Sequence, residues 1–154
     1  MAKQINIAEM QRRVCKSGQE FNEAVKALIE AAAKDIDQTG RGAMFDFYKM
    51  NVELVPKDTG RAARGFIVSE EPTEWVPPPG DYEGEIQSMT TENQHTLDKI
   101  PPMSRISVSN NIEYIVPLEN GHSTKAPAGF WVLSLQVLTK RFERAAEVYR
   151  NKKY

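Results

Sequence analysis

The sequence predicts an α+β domain: a long N-terminal helix, a small antiparallel sheet of three to four strands, and a C-terminal helix packed on the sheet. Three observations lead there. Apolar residues recur at helical spacing through Phe21, Val25, Leu28, Ile29, Ala32 and Ile36. They recur again through Trp131, Leu135, Leu138, Phe142, Ala145 and Tyr149. Between the two stripes, residues 104–109 alternate, with Ile106 and Val108 on one side and Arg105, Ser107 and Ser109 on the other, as in a half-buried antiparallel strand.

In chain order, residues 1–18 read as a flexible arm ahead of a single domain over 19–154. Ser17 is a suitable N-cap for the first helix, with Glu20 as its capping-box partner. Gly40 and Gly42 interrupt the stripe, yet it resumes in phase at Ala43, Phe47, Met50 and Leu54, which favours one helix over two. A helix from 19 to 54 would be about 54 Å long. Part of it would then project or lie against another copy of the chain. Pro56 ends it, because proline disfavours the α conformation in the residue before it. Pro56, Lys57, Asp58, Thr59, Gly60 and Arg61 form a tight turn, with Asp58 accepting backbone N–H bonds and Gly60 at positive φ. A short strand follows at 65–69. Residues 70–103 read as a long loop, since Pro72, Pro77, Pro78, Pro79, Pro101 and Pro102 resist regular ladders, with room for one short strand at 85–91. Asn110 and Asn111 suit a hairpin turn, from which 112–118 returns as a strand. A second loop at 119–129 leads to Phe130 and the last helix.

With 154 residues and a formal charge of −1, the chain suits one domain and lacks the net positive charge of a typical nucleic-acid binder. The balance hides segregation. Glu70, Glu71, Glu74, Asp81, Glu83, Glu85, Glu92 and Asp98 fall in a stretch, 66–98, without Lys or Arg, while the region after it is basic. The terminal cations Arg150, Lys152 and Lys153 suit a solvated helix end. No apolar run approaches the ~20 residues of a membrane span, and the first residues lack the apolar core of a signal peptide. Cys15 stands alone, so there is no intrachain disulfide framework and no multi-cysteine zinc site. His95 and His122 lie in separate segments without metal-ligand spacing, and His122 reads as a loop hydrogen-bonder. Phosphate loops and nucleophile elbows are also lacking. These readings give no catalytic residues, no metal and no cofactor.

Two segments carry more. One is Pro56-Lys57-Asp58-Thr59-Gly60-Arg61 after the long helix. The other runs from Ser109-Asn110-Asn111 through Tyr114, Leu118-Glu119-Asn120-Gly121-His122-Ser123 and Ala126-Pro127-Ala128-Gly129-Phe130. In order and spacing they resemble the head–tail joining, or tail-completion, proteins of tailed bacteriophages, over roughly residues 20–150. The chain departs from that pattern in its longer acidic, proline-rich stretch at 70–103 and in its Gly-His-Ser loop.

The resemblance implies a structural virion protein, not an enzyme. It would form a homo-oligomeric ring, hexameric or twelve-fold, at the phage neck. One side would meet the head-completion or connector protein, the other the tail terminator or tail tube. DNA would pass through without sequence-specific binding, and no membrane is involved. Its place would be the virion neck, and the host cytoplasm during assembly. A tail terminator ring is an alternative within the same family space. A small unrecognised enzyme or a regulatory binding module is an alternative of another class. On this reading Pro56, Asp58, Thr59, Gly60 and Arg61 make a structural turn. Phe47, Met50, Tyr114, Glu119, Gly121, His122, Pro127, Phe130, Trp131 and Phe142 are interface candidates. Glu119 fixes the loop after it through backbone N–H groups or pairs with a base of the next subunit. Glu70, Glu71, Glu74, Asp81, Glu83 and Glu85 line the lumen or make ionic contacts between proteins.

Overall fold

Helix dominates the chain. The computed structural model describes residues 7–151, with side chains from residue 18 onward except Tyr149. Among the described residues five helices run in order: α1 (Ile7–Leu54), α2 (Arg61–Arg64), α3 (Ile86–Lys99), α4 (Ile115–Glu119) and α5 (Trp131–Asn151). A 3-10 turn at Glu83–Glu85 leads into α3. Two strands, β1 (Ile67–Ser69) and β2 (Ser107–Ser109), pair antiparallel with Val68 opposite Val108. At 62% helix, with one two-stranded sheet among the described residues, the expected α+β class with three to four strands is overturned.

The differences have physical causes. Much of the expected loop at 70–103 is α3, in which Met89, Asn93 and Leu97 are buried on one helical face. Asn93 masks that face in the sequence because it is polar. In the fold it is satisfied: its Oδ1 accepts from Val68 N–H (2.7 Å), and its Nδ2 donates to Tyr48 Oη (3.1 Å) and Met89 O (2.9 Å). One buried amide thereby ties β1, α1 and α3 together, and α3 takes the place beside the strand that the sequence reading gave to the last helix. Burial raises the Tyr48 pKa above its ordinary value, against the opposing hydrogen bonds of Thr90 and Asn93. The expected returning strand at 112–118 is a turn followed by α4. Asn110 Nδ2 donates to Ala62 O (2.8 Å) and its Oδ1 accepts from Ile112 N–H (3.2 Å), so the chain bends away before a ladder can form. β2 therefore pairs back with β1 instead of with its successor.

The long first helix is present and continuous through Gly40 and Gly42. It starts at Ile7, ahead of the expected Ser17 cap; residues 1–6 of the expected arm, the Cys15 side chain, Lys152 and Lys153 lie outside the described residues. The chain divides into two units at Ile36 and Asp37. In the first, no described side chain is buried, and Phe21, Val25, Leu28, Ile29 and Ile36 are exposed. The second holds the core, built around Tyr48, Val52, Phe66, Met89, Ile112 and Phe130. There α5 begins against Phe66, with ring centroids at 5.9 Å for Phe130 and 6.3 Å for Trp131. It continues beside α1, where Trp131 meets Phe47 edge-on at 4.9 Å and Arg141 pairs with Asp46.

Candidate functional site

The two segments singled out in the sequence come together in space. Pro56 closes α1, and Gly60 follows at φ 71°, a left-handed conformation open to glycine. A Cβ there would lie 2.9 Å from the backbone of Tyr82 and Glu83, while Thr59 O accepts from Tyr82 N–H at 2.6 Å. The turn is thus held by backbone fit. Asp58 does not accept the expected turn bonds. Its side chain is fully exposed, and it stands 3.8 Å from Lys125 Nζ.

Arg61 joins this turn to the second segment. Its Nη1 and Nη2 donate to the two carboxylate oxygens of Glu113 (2.7 and 3.3 Å), its Nε donates to Pro77 O (3.0 Å), and its guanidinium lies 5.7 Å from the Tyr114 ring centroid. Glu113 holds the Arg61 pKa above its ordinary value, and Arg61 holds that of Glu113 below the usual carboxylate range. An open cleft of about 410 Å³ lies here, lined by residues that include Pro56, Thr59, Arg61, Tyr114, Leu118 and Lys125.

Beyond the cleft, Glu119 holds the start of α5. Its Oε2 accepts from the N–H groups of Phe130 and Trp131, each at 2.8 Å, and its Oε1 accepts from Val132 N–H at 3.1 Å. Three otherwise orphaned donors are satisfied, and the anion sits at the positive end of the helix dipole. Gly121 and Gly129 let the loop close. Both have positive φ, and a Cβ at either would lie 2.5 Å from a carbonyl oxygen, of Pro127 and Glu119 respectively. His122 Nδ1 lies 2.8 Å from Pro117 O, so His122 is a loop hydrogen-bonder.

The remaining interface candidates separate by burial. Phe47 and Phe130 are buried in the chain's own core. Tyr114, Glu119, Gly121, Met50 and Trp131 are half-buried; His122, Pro127 and Phe142 are exposed. Met50 borders a groove of about 310 Å³ between α1 and α5. The acidic residues Glu70, Glu71, Glu74, Asp81, Glu83 and Glu85 are all exposed. Two carboxylates of the wider block meet bases of the same chain: Glu71 with Arg105 (2.8 Å) and Glu92 with Arg64 (3.5 Å).

Sequence reasoning missed Arg41. From within α1, its Nη1 donates to Leu97 O (2.8 Å) and its Nη2 to Ile100 O (2.8 Å) and Pro101 O (2.7 Å), while its Nε donates to Asp37 Oδ2 (2.6 Å). Asp37 Oδ1 in turn accepts from the N–H of Met103, a non-glycine residue at φ 61°. The Arg41 hydrogen bond, then the Met103 one, lower the Asp37 pKa. An arginine between two glycines gives no sequence signal for three carbonyls more than fifty positions away.

Among the described residues no group of three or more His, Cys, Asp or Glu could hold a metal ion, and no helix is long and apolar enough to cross a membrane. No family model, curated protein or solved structure matches the chain.

Proposed function

We propose that this chain is a structural assembly protein that works as a homo-oligomeric ring, and that the ring sits at the neck of a tailed phage, between head and tail. One observation carries the reading: large apolar side chains are exposed along both long helices. They include Phe21 (67% exposed), Leu28 and Ile29 on α1, and Val132, Leu135 and Phe142 on α5. Extended apolar exposure of this kind marks surfaces covered in an assembly. In a cyclic ring each subunit uses two different patches, and two helices offer two patches. The resemblance in motif order described above supports the neck as the place. The exposed carboxylates of the 70–85 stretch add support, because a carboxylate surface does not hold a phosphate backbone as Lys and Arg do.

The test is native mass measurement of the purified chain, alone and with the connector protein of the same phage, beside imaging of labelled virion necks. Ring-sized species and a neck label are expected, and Phe21→Asp should reduce the ring population at least several-fold. A monomer at every concentration, together with intact virions that lack the protein, overturns the reading.

A further inference from the structure

The chain turns sharply after α3. Ser104 N–H donates to Pro101 O (3.3 Å), closing a four-residue turn with Pro102 second and Met103 third. Met103 has φ 61° and is the one non-glycine residue of positive φ among the described residues. In a turn with proline second and positive φ third, glycine or asparagine is the ordinary occupant, because a larger side chain strains the backbone there. Neighbouring side chains hold the strained turn. Asp37 Oδ1 accepts from Met103 N–H (2.7 Å), and Arg41 donates to Ile100 O and Pro101 O. Yet the fold itself makes little use of the methionine, which is 63% exposed. Strain maintained at an exposed apolar side chain points to a contact outside the chain.

A pocket of about 240 Å³ opens at the start of α5, lined by Asn110, Ile115, Val116, Glu119, Phe130 and Trp131. Its two polar side chains are already engaged, Asn110 with Ala62 O and Ile112 N–H, Glu119 with the N–H groups of Phe130, Trp131 and Val132. What remains for a guest is apolar. At ~30 Å³ per water the pocket has the volume of about eight waters. That is ample for the side chain of a methionine, whose thioether makes favourable contacts with aromatic rings such as those of Phe130 and Trp131.

The charges around the two features are complementary. Residues 99–107 hold two bases, Lys99 and Arg105, and no acid; residues 110–119 hold two acids, Glu113 and Glu119, and no base. Lys99, Arg105 and Glu113 are exposed, the last two even with Glu71 and Arg61 beside them. Every copy of the chain carries both features, in the unit that follows Ile36.

We propose that Met103 of one copy seats in the pocket at the start of α5 of the next. The contact uses two different patches of the chain, as a cyclic ring requires. This inference rests on the assembly reading and names the side chain and the pocket that join its subunits.

Native mass measurement and thermal melts of the full chain test it. Met103→Gly removes the side chain and relieves the backbone. It should reduce the ring population at least several-fold while the dilute chain melts no lower than the parent. Val116→Asp, at an exposed position of the pocket lining, should act in the same way. A cysteine pair then checks the seating. Chains with Met103→Cys and chains with Val116→Cys, both with Cys15→Ser, should form a disulfide between unlike chains when mixed and oxidised. Rings that persist in either Met103→Gly or Val116→Asp, or cross-links between like chains alone, overturn the proposal and leave the assembly reading standing. A parent chain that is monomeric at every concentration overturns both.

Discussion

Two helix ends in this molecule are secured by opposite means. The C-terminal end of α3 is gripped by a cation, Arg41, whose guanidinium gathers the carbonyls of Leu97, Ile100 and Pro101. The N-terminal end of α5 is gripped by an anion, Glu119, whose carboxylate gathers three N–H groups. Each sign suits the dipole it faces. The difference lies in reach. Glu119 acts within 13 positions along the chain and closes one loop, whereas Arg41 acts across about 60 and joins separate elements. A short-range cap organises a local motif; a long-range one sets the tertiary arrangement.

Breaking the long-range grip should have the largest effect. Arg41→Ala removes a charged donor from three carbonyls, and hydrogen bonds to charged groups contribute ~1.5–3 kcal/mol each before partial exposure reduces them. A loss of about 3 kcal/mol is expected. For a chain of this size it should lower the melting temperature by about 6–12 °C in a calorimetric scan. Arg41→Lys should recover part of this, because an ammonium cannot span the three carbonyls as the guanidinium fork does.

The short-range grip should weigh less. Glu119→Ala is expected to cost about 1–2 kcal/mol, in the range of lost helix N-caps. Glu119→Gln should fall between, since one of its two acceptor oxygens becomes an amide donor. Urea titration of the three proteins checks the order. If Glu119→Ala unfolds at lower urea than Arg41→Ala, the ranking of the two grips is reversed.

Acid offers the smallest and most selective handle. Asp37, which supports Arg41 and Met103, and Glu113, which pairs with Arg61, both have folded pKa values below their ordinary ones. Their contribution is therefore full above the unfolded carboxylate range of about 4 and is lost as pH falls through the lowered folded values. Melts between pH 7 and pH 2 should show a decline below about pH 4 that Asp37→Asn reduces in size. An unchanged decline in that variant would remove Asp37 from the account.

The sequence alone determined the local features. Apolar spacing of 3 and 4 marked α1 and α5, because that period gathers apolar side chains on one helix face whether or not the face meets the chain's own core. Pro56 and Gly60 marked the turn, because their backbone limits are intrinsic. What holds the turn was not legible at Asp58, since the fit of Gly60 against Tyr82 and Glu83 depends on distant chain. Tertiary structure decided the rest. The α3 segment was hidden by the polar Asn93, whose burial is tolerable only when Val68 N–H, Tyr48 Oη and Met89 O are all in place. The partner of β2 was hidden because alternation defines the faces of a strand and not its neighbour, and Asn110 turns the chain away from the adjacent candidate. Arg41 was invisible because a side chain's partners, unlike its helix propensity, are set by the fold and not by its neighbours in sequence.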